Sequence, residues 1–229
     1  MSVELEQRAI DVAGSGSVSS IWIRPPDARA LLVFAHGAGA GMRHVFMEGV
    51  ARALAERAIA TLRYQFPYVE KGSRRPDRAP VCEATVRAAV AAAAELAPDL
   101  PLLAGGTSMG GRMTSQAQAA APLPSVRALV FFGFPLHPAG APATTRADHL
   151  AGVALPMLFL QGTRDELADL ALLRPVLAAL GPRAELSILD GADHSFGVGA
   201  RPSRRGDAAI AELAARAAAF AITAADATR

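Results

Sequence analysis

The sequence has one cysteine, one lysine and no long uninterrupted apolar run. Because Cys82 has no second cysteine to pair with, no internal disulfide can form, which favours a reducing compartment. No window approaches the roughly 18 consecutive apolar residues of a membrane span, and the opening residues MSVELEQRAI lack the apolar core of a signal peptide. We therefore expect a cytoplasmic protein that has no membrane partner.

Charge is also sparse and nearly balanced. Charged residues make up 19% of the chain against 52% apolar residues, with a net charge of +2, and this composition favours a sizeable core over disorder. The cations gather in two predicted loops, KGSRRPDR at 71–78 and RPSRR at 201–205, with no interleaved aromatic residues and no helical spacing. This pattern is typical of a solvated surface, so we expect no nucleic-acid partner.

Runs typical of buried strands alternate with helical patterns along the chain. Such alternation predicts a single α/β domain over 1–229, with a mostly parallel sheet covered by helices on both faces. Strands are predicted at 3–12, 18–25, 29–35, 59–66, 99–107, 126–134, 155–162 and 184–191, and helices at 44–58, 81–97, 109–121, 167–180 and 206–222.

The segment GGTSMGG at 105–111 surrounds a serine with glycines, which are costly in an ordered element. A strand, then G-x-S-x-G, then a helix predicts a sharp turn that presents Ser108 above the carboxyl end of the strand. In this interpretation the glycines clear space around the hydroxyl, and the helix N-terminus favours developing negative charge. A P-loop would need G-K-[ST], which is missing; a plain tight turn remains an alternative.

A serine nucleophile needs a base, and the base needs an acid that orients it. Asp165 follows the predicted strand 155–162, and His194 follows the predicted strand 184–191. The chain order serine, acid, histidine is the one that this arrangement of strands uses. We therefore predict Ser108, Asp165 and His194 as the catalytic residues. A helix cap is the alternative role of Asp165, and two rival acids lie nearby, Glu166 and Asp169.

Acyl transfer also needs N–H donors for the oxyanion, each contributing about 3 kcal/mol. We expect one donor at Met109 and the other in HGAGAG at 36–41, where Ala38 is favoured and Gly39 is the alternative. His36 is expected to brace this loop by hydrogen bonding. The histidines show no metal-ligand spacing, so we expect neither a metal nor another cofactor.

Four motifs, HGAGAG, GGTSMGGR, QGTRDE and DGADHSF, resemble the α/β-hydrolase superfamily. The chain is most similar to a compact branch described as dienelactone-hydrolase-like or predicted hydrolase, over nearly its whole length. The resemblance implies the α/β-hydrolase fold, with an eight-stranded sheet whose second strand is antiparallel, and the roles given above to Ser108, Asp165 and His194. True dienelactone hydrolases carry a cysteine nucleophile, so the serine here argues against dienelactone as the substrate.

The segment between the predicted strands 126–134 and 155–162 is too short for a large helical cap. A minimal cap predicts a shallow, open pocket for small or short-chain acyl groups. Each residue expected to line this pocket could instead pack at the edge of the sheet, and Arg112 could instead anchor a neighbouring loop. The expected pocket residues are His36, Gly39, Phe66, Arg112, Phe134 and Phe196, with Tyr64, Pro67, Tyr68, Pro135 and Leu136 as further walls.

The sequence thus predicts a serine hydrolase that cleaves small-molecule carboxylic esters or thioesters through an acyl-enzyme. Two alternatives stay open. One is a non-catalytic interaction module built on the same fold, and the other is a peptidase or amidase, which would need a deeper leaving-group site. The oligomeric state is not predicted.

Overall fold

A computed structural model describes residues 5–197 and 206–226, together with the backbone of 202–205. Eight strands form one sheet in the order β1-β2-β4-β3-β5-β6-β7-β8. Strand β2 runs antiparallel to both of its neighbours, and the other adjacent strands are parallel. The strands are β1 Glu6–Val12, β2 Gly16–Ile23, β3 Ala30–Ala35, β4 Ile59–Tyr64, β5 Leu102–Thr107, β6 Val126–Phe132, β7 Met157–Gly162 and β8 Ala184–Leu189.

The described part of the chain contains six α-helices and two 3₁₀ helices, of which α6 follows the last strand. The four-residue helix α2 and the 3₁₀ helix Thr145–Gly152 were not expected, because each is too short to show a periodic apolar pattern. The basic segment 201–205 was predicted as a loop, but the last helix already begins at Pro202; Arg201 and the side chains of 202–205 lie outside the described residues. The α-helices are α1 Val45–Ala55, α2 Pro67–Glu70, α3 Ala79–Leu96, α4 Met109–Ala120, α5 Leu170–Leu180 and α6 Pro202–Asp226.

The two faces of the sheet carry separate apolar layers. Helices α3, α4 and α5 pack on one face, and α1 and α6 pack on the other. Helix α6 is long and apolar enough over Gly206–Asp226 to cross a membrane, but here Leu213, Ala214 and Ala217 are buried against the sheet. Alanine dominates the buried face of α6 and lets this helix approach the sheet closely, since its side chain is a single methyl group.

The parallel strands bring the loops after β3, β5, β7 and β8 to one edge of the sheet. The connection from β6 to β7 contains the 3₁₀ helix Thr145–Gly152, which packs against α4 and is joined to it by a 2.7 Å hydrogen bond between His149 Nε2 and Ser115 Oγ. No cap is inserted in this connection.

Candidate active site

Ser108 sits at the turn between β5 and α4 in a strained conformation. Its φ is 47° and its ψ is −118°, a region that a residue with a side chain occupies at a cost of about 1–3 kcal/mol. Ser108 occupies the N-cap position of α4, yet its hydroxyl makes no capping hydrogen bond. Instead Oγ lies 2.8 Å from Nε2 of His194. The turn therefore directs the hydroxyl away from its own helix and toward an imidazole.

The glycines around Ser108 admit the backbone of the neighbouring strand. A Cβ on Gly110 would lie 2.5 Å from the His36 carbonyl oxygen, and a Cβ on Gly106 would overlap the Ala35 carbonyl oxygen. This corrects the interpretation that these glycines clear space around the hydroxyl. They allow the end of β3, and the loop that follows it, to lie directly against the turn that carries Ser108.

His194 and Asp165 continue the chain of contacts from Ser108. The Nδ1 atom of His194 lies 2.9 and 2.8 Å from the two carboxylate oxygens of Asp165. A carboxylate only accepts, so Nδ1 carries the proton and Nε2 is free to accept the Ser108 hydroxyl proton. Asp165 Oδ1 also accepts the Leu167 N–H at 2.8 Å, and Oδ2 accepts from the Gln161 amide.

The two rival acids have other positions. Asp169 caps α5, since its Oδ1 accepts the Ala171 N–H at 2.7 Å, and Glu166 is exposed to solvent. Of the three candidate acids, only Asp165 contacts the imidazole of His194. The helix cap that was the alternative role of Asp165 is thus supplied by Asp169.

A tight turn holds His194. Asp193 Oδ1 accepts the N–H groups of Ser195 and Gly197 at 2.9 and 2.8 Å, which closes the turn on itself. Gly133, at the end of β6, lies beside the ring: a Cβ there would be 3.4 Å from Cε1 of His194. The imidazole is therefore fixed by its own loop and by a neighbouring strand.

The backbone N–H groups of Ala38 and Met109, close to Ser108, have no protein acceptor among the described residues, and neither does that of Gly39. Met109 opens α4, where the first N–H groups lack an intrahelical partner. Ala38 lines the same cavity as Ser108. The amide of the alternative residue, Gly39, lies near the buried Tyr68 hydroxyl without reaching hydrogen-bonding geometry, and it opposes the rise in pKa that burial gives to Tyr68.

His36 braces the loop after β3. Its Nδ1 donates to the Gly37 carbonyl at 2.8 Å, and its Nε2 accepts the Phe66 N–H at 3.1 Å. Burial lowers the pKa of His36 to about 4, so the ring is neutral at physiological pH, as the accepted hydrogen bond requires. Within residues 5–197 and 206–226, no three His, Cys, Asp or Glu side chains come together as a metal site.

A cavity of about 220 Å³ opens beside Ser108 and His194. Its aromatic wall includes Phe46 and Phe196, whose rings stack with centroids 5.5 Å apart and planes 9° apart. Phe196 lies in the loop that carries His194, which we call the histidine loop. It has a φ of 59°, and its ring faces α1. The lining residues are Gly37, Ala38, Gly39, Ala40, His44, Phe46, Met47, Thr107, Ser108, Phe132, His194, Ser195 and Phe196.

Four of the expected pocket residues do not line this cavity. His36, Phe66 and Phe134 are fully buried: the Phe66 ring packs on His36 at 4.9 Å, and the Phe134 ring packs among the phenylalanines of β6 and β7. Arg112 is half-buried in the first turn of α4, outside the cavity. Gly39 and Phe196 do border the cavity, whereas Tyr64, Pro67, Tyr68, Pro135 and Leu136 are buried outside it.

The sequence interpretation missed the α1 side of the cavity, formed by His44, Phe46 and Met47, and the end of β6 at Phe132. One local signal pointed there. Helix α1 follows the HGAGAG loop directly, so its first turn begins at the edge where Ser108 lies.

Comparisons with known proteins identify the family of the fold. The family model described as an alpha/beta hydrolase domain matches residues 28–222. None of the curated proteins searched matches this chain.

Solved structures similar to this chain share its fold. Dienelactone hydrolase from Anabaena variabilis has a TM-score of 0.77 and 21% identity, covering 96% of this chain and 97% of its own. XC6422 from Xanthomonas campestris, described as a serine hydrolase without a lid, has a TM-score of 0.70 and 22% identity over 94% and 96%. Est1E from Butyrivibrio proteoclasticus, solved with ferulic acid, has a TM-score of 0.68 and 17% identity over 91% and 98%. With a family model that spans most of its length, the chain belongs to the alpha/beta hydrolase domain family.

Proposed function

We propose that this protein hydrolyses small or short-chain carboxylic esters or thioesters through an acyl-enzyme. The observation that carries the proposal is the continuous chain of contacts from Ser108 Oγ to His194 at 2.8 Å and from His194 to Asp165 at 2.8 Å. A strained serine, a base within hydrogen-bond reach and a buried acid behind that base are the three parts that nucleophilic acyl transfer needs.

In the acylation step, Ser108 Oγ attacks the acyl carbon while its proton moves to Nε2 of His194. The tetrahedral intermediate then collapses, the bond to the alcohol or thiol breaks, and His194 returns the proton to the leaving group. Asp165 stabilises the imidazolium that forms, because both of its oxygens lie within 2.9 Å of Nδ1.

In the deacylation step, water takes the place of the alcohol. His194 removes a proton from the water, the hydroxide adds to the acyl carbon, and the Ser108–acyl bond breaks with return of the proton to Oγ. A carboxylic acid leaves, and the enzyme is restored without a cofactor.

The N–H groups of Ala38 and Met109 would stabilise the oxyanion that forms in both steps. Both lack a protein acceptor among the described residues, and such a preorganised donor contributes about 3 kcal/mol to the transition state. Ala38 is favoured over Gly39 because the Gly39 amide lies beside the Tyr68 hydroxyl.

The size of the cavity supports a small acyl group. About 220 Å³ beside the serine, walled by Phe46, Phe132 and Phe196, suits an uncharged acyl chain of a few carbons. Similar solved structures described as an esterase domain and as a serine hydrolase are consistent with this class of substrate.

Labelling with a fluorophosphonate tests the proposal. The wild-type protein should be labelled at Ser108, and the Ser108→Ala variant should lose both the label and ester hydrolysis, with kcat falling by up to about 10⁶-fold. Across p-nitrophenyl esters, kcat/KM should fall at least about tenfold from butyrate to octanoate. A folded wild-type protein that takes no label and cleaves no ester would instead favour a non-catalytic role.

A further inference from the structure

The loop of residues 37–42 runs from β3 to α1 and carries the Ala38 amide. Strand β4 lies beside β3 in parallel register, with Ala35 opposite Tyr64. Residues at the end of β4 therefore leave the sheet next to this loop. Two hydrogen bonds reach the 37–42 loop from Arg63 and Gln65, and a third joins the Phe66 N–H to His36, the residue that precedes the loop.

Arg63 makes the most unusual of these contacts. It is 1% exposed, and its Nη1 donates to the Met42 carbonyl at 2.8 Å. Among the described residues the nearest carboxylate is that of Glu48, 3.9 Å from Nη1, and Nε has no hydrogen-bond partner there. Burying a guanidinium with so few partners is unfavourable, and this burial lowers the pKa of Arg63. An apolar residue could fill the same space without burying a charge. What arginine adds at this position is the hydrogen bond to the Met42 carbonyl.

Gln65 and His36 hold the rest of the loop. Gln65 Oε1 accepts the Met42 N–H at 2.8 Å, so both backbone polar groups of Met42 are fixed by side chains from β4 and its exit. At the other end, His36 donates to the Gly37 carbonyl and accepts the Phe66 N–H. Only four residues, 38–41, lie between the two held positions.

We propose that Arg63 is a positioning residue of the active site, which fixes the 37–42 loop through Met42 so that the Ala38 amide is in place before the oxyanion forms. This inference rests on the proposed function. Donors that are already oriented need no reorganisation as charge develops, and a misplacement of about 1 Å costs on the order of a hundredfold in rate. Arg63 acts through the loop and does not touch the substrate.

The test compares Arg63→Met with a matched control, Arg57→Met. Arg57 also donates to a backbone carbonyl, that of Ala53, at 2.7 Å, but it lies at the far end of α1. Gln65→Met is the second variant, because it releases the Met42 N–H without exposing or burying a charge. For each protein, kcat and KM on a p-nitrophenyl ester, the rate of fluorophosphonate labelling at Ser108 and the active fraction from burst titration are measured.

Arg63→Met should lower both kcat per active site and the labelling rate by about 10- to 100-fold, with KM changed less than about twofold. Gln65→Met should change them in the same direction, and Arg57→Met should match the wild type. A purely structural role of Arg63 would lower the active fraction and leave kcat per active site unchanged.

Three results would overturn the proposal. In the first, Arg63→Met and Gln65→Met keep wild-type rates per active site. In the second, KM rises while kcat is unchanged, which would place Arg63 in substrate binding. In these first two results, fluorophosphonate labelling of the wild-type protein would still support the proposed function. In the third, a folded wild-type protein shows neither labelling nor hydrolysis, and both proposals fail together. If Arg63→Met does not fold, the rates of Gln65→Met decide.

Discussion

Both carboxylate oxygens of Asp165 lie within 2.9 Å of Nδ1 of His194, and the Asp165 side chain is completely excluded from solvent. The same carboxylate accepts from the Leu167 N–H and from the Gln161 amide. Three donors to one buried carboxylate fix its orientation. The imidazole is thereby held in one tautomer.

The change Asp165→Asn tests this relationship. An asparagine keeps the shape of the side chain but allows the wrong imidazole tautomer, so kcat should fall by about 10⁴-fold while the protein stays folded. Asp169→Asn is the control, since asparagine also caps helices and Asp169 does not touch His194. Steady-state rates on a p-nitrophenyl ester give the comparison, and a loss below tenfold in folded Asp165→Asn would remove Asp165 from the mechanism.

Most of the sheet could be predicted because its signals are local. Buried strands alternate with helices, and parallel topology sends the loops after β5, β7 and β8 to one edge. Ser108, Asp165 and His194 each follow the end of such a strand, so their meeting depends on the topology and not on fine packing. The start of α6 at Pro202 and the helix α2 at Pro67 were not predicted, although each had a local signal, a proline in the first turn.

The aromatic wall of the cavity could not be predicted from local patterns. Phe66 and Phe134 follow strand ends just as the site residues do, yet both rings are fully buried. Phe46 lines the cavity because α1 and the histidine loop approach each other on the opposite face of the sheet. That approach depends on contacts between segments about 150 residues apart, which no local pattern records.

Shortening Phe46 should change which acyl groups are accepted. Phe46→Ala removes one ring of the stack with Phe196 and lengthens the cavity, so the ratio of kcat/KM for octanoate over butyrate esters should rise by about tenfold. The adjacent Val45 is 77% exposed and does not line the cavity, so Val45→Ala is the control and should leave the ratio unchanged. Equal ratios in Phe46→Ala and wild type would mean that the acyl chain lies elsewhere.

Adding one methyl group at Gly110 should disrupt the site. The new Cβ would lie 2.5 Å from the His36 carbonyl oxygen and 2.7 Å from that of Ala35, both backbone atoms that cannot move aside alone. We expect Gly110→Ala to lower the free energy of unfolding by about 1–3 kcal/mol and to slow fluorophosphonate labelling. Gly152→Ala is the matched control, because its nearest neighbour is 3.9 Å away, and its stability should stay within about 0.5 kcal/mol. Urea unfolding measures both, and equal stabilities of the two variants would contradict the close approach of β3.

Acidification should destabilise the protein through His36. Burial lowers the pKa of His36 to about 4 in the folded chain, against about 6.5 for an exposed histidine. Between these values the unfolded chain binds a proton that the folded chain excludes, so stability contributed by the neutral ring is present above pH 6.5 and is lost as the pH falls toward 4. The full loss is of order 3 kcal/mol. His149, whose pKa burial also lowers to about 4, adds a loss in the same direction.

The variant His36→Gln isolates this contribution. Glutamine offers an acceptor to the Phe66 N–H and does not titrate, so the variant should be less stable than the wild type at pH 7.5 by about 1–3 kcal/mol. That difference should shrink as the pH falls from 6.5 to 4.5, because only the wild type loses the contribution of His36. Urea unfolding at pH 7.5, 6.5, 5.5 and 4.5 measures this difference in the free energy of unfolding. The control is His44→Gln, which changes an exposed histidine. A difference that stays constant across this range would show that His36 titrates alike in the folded and unfolded chains.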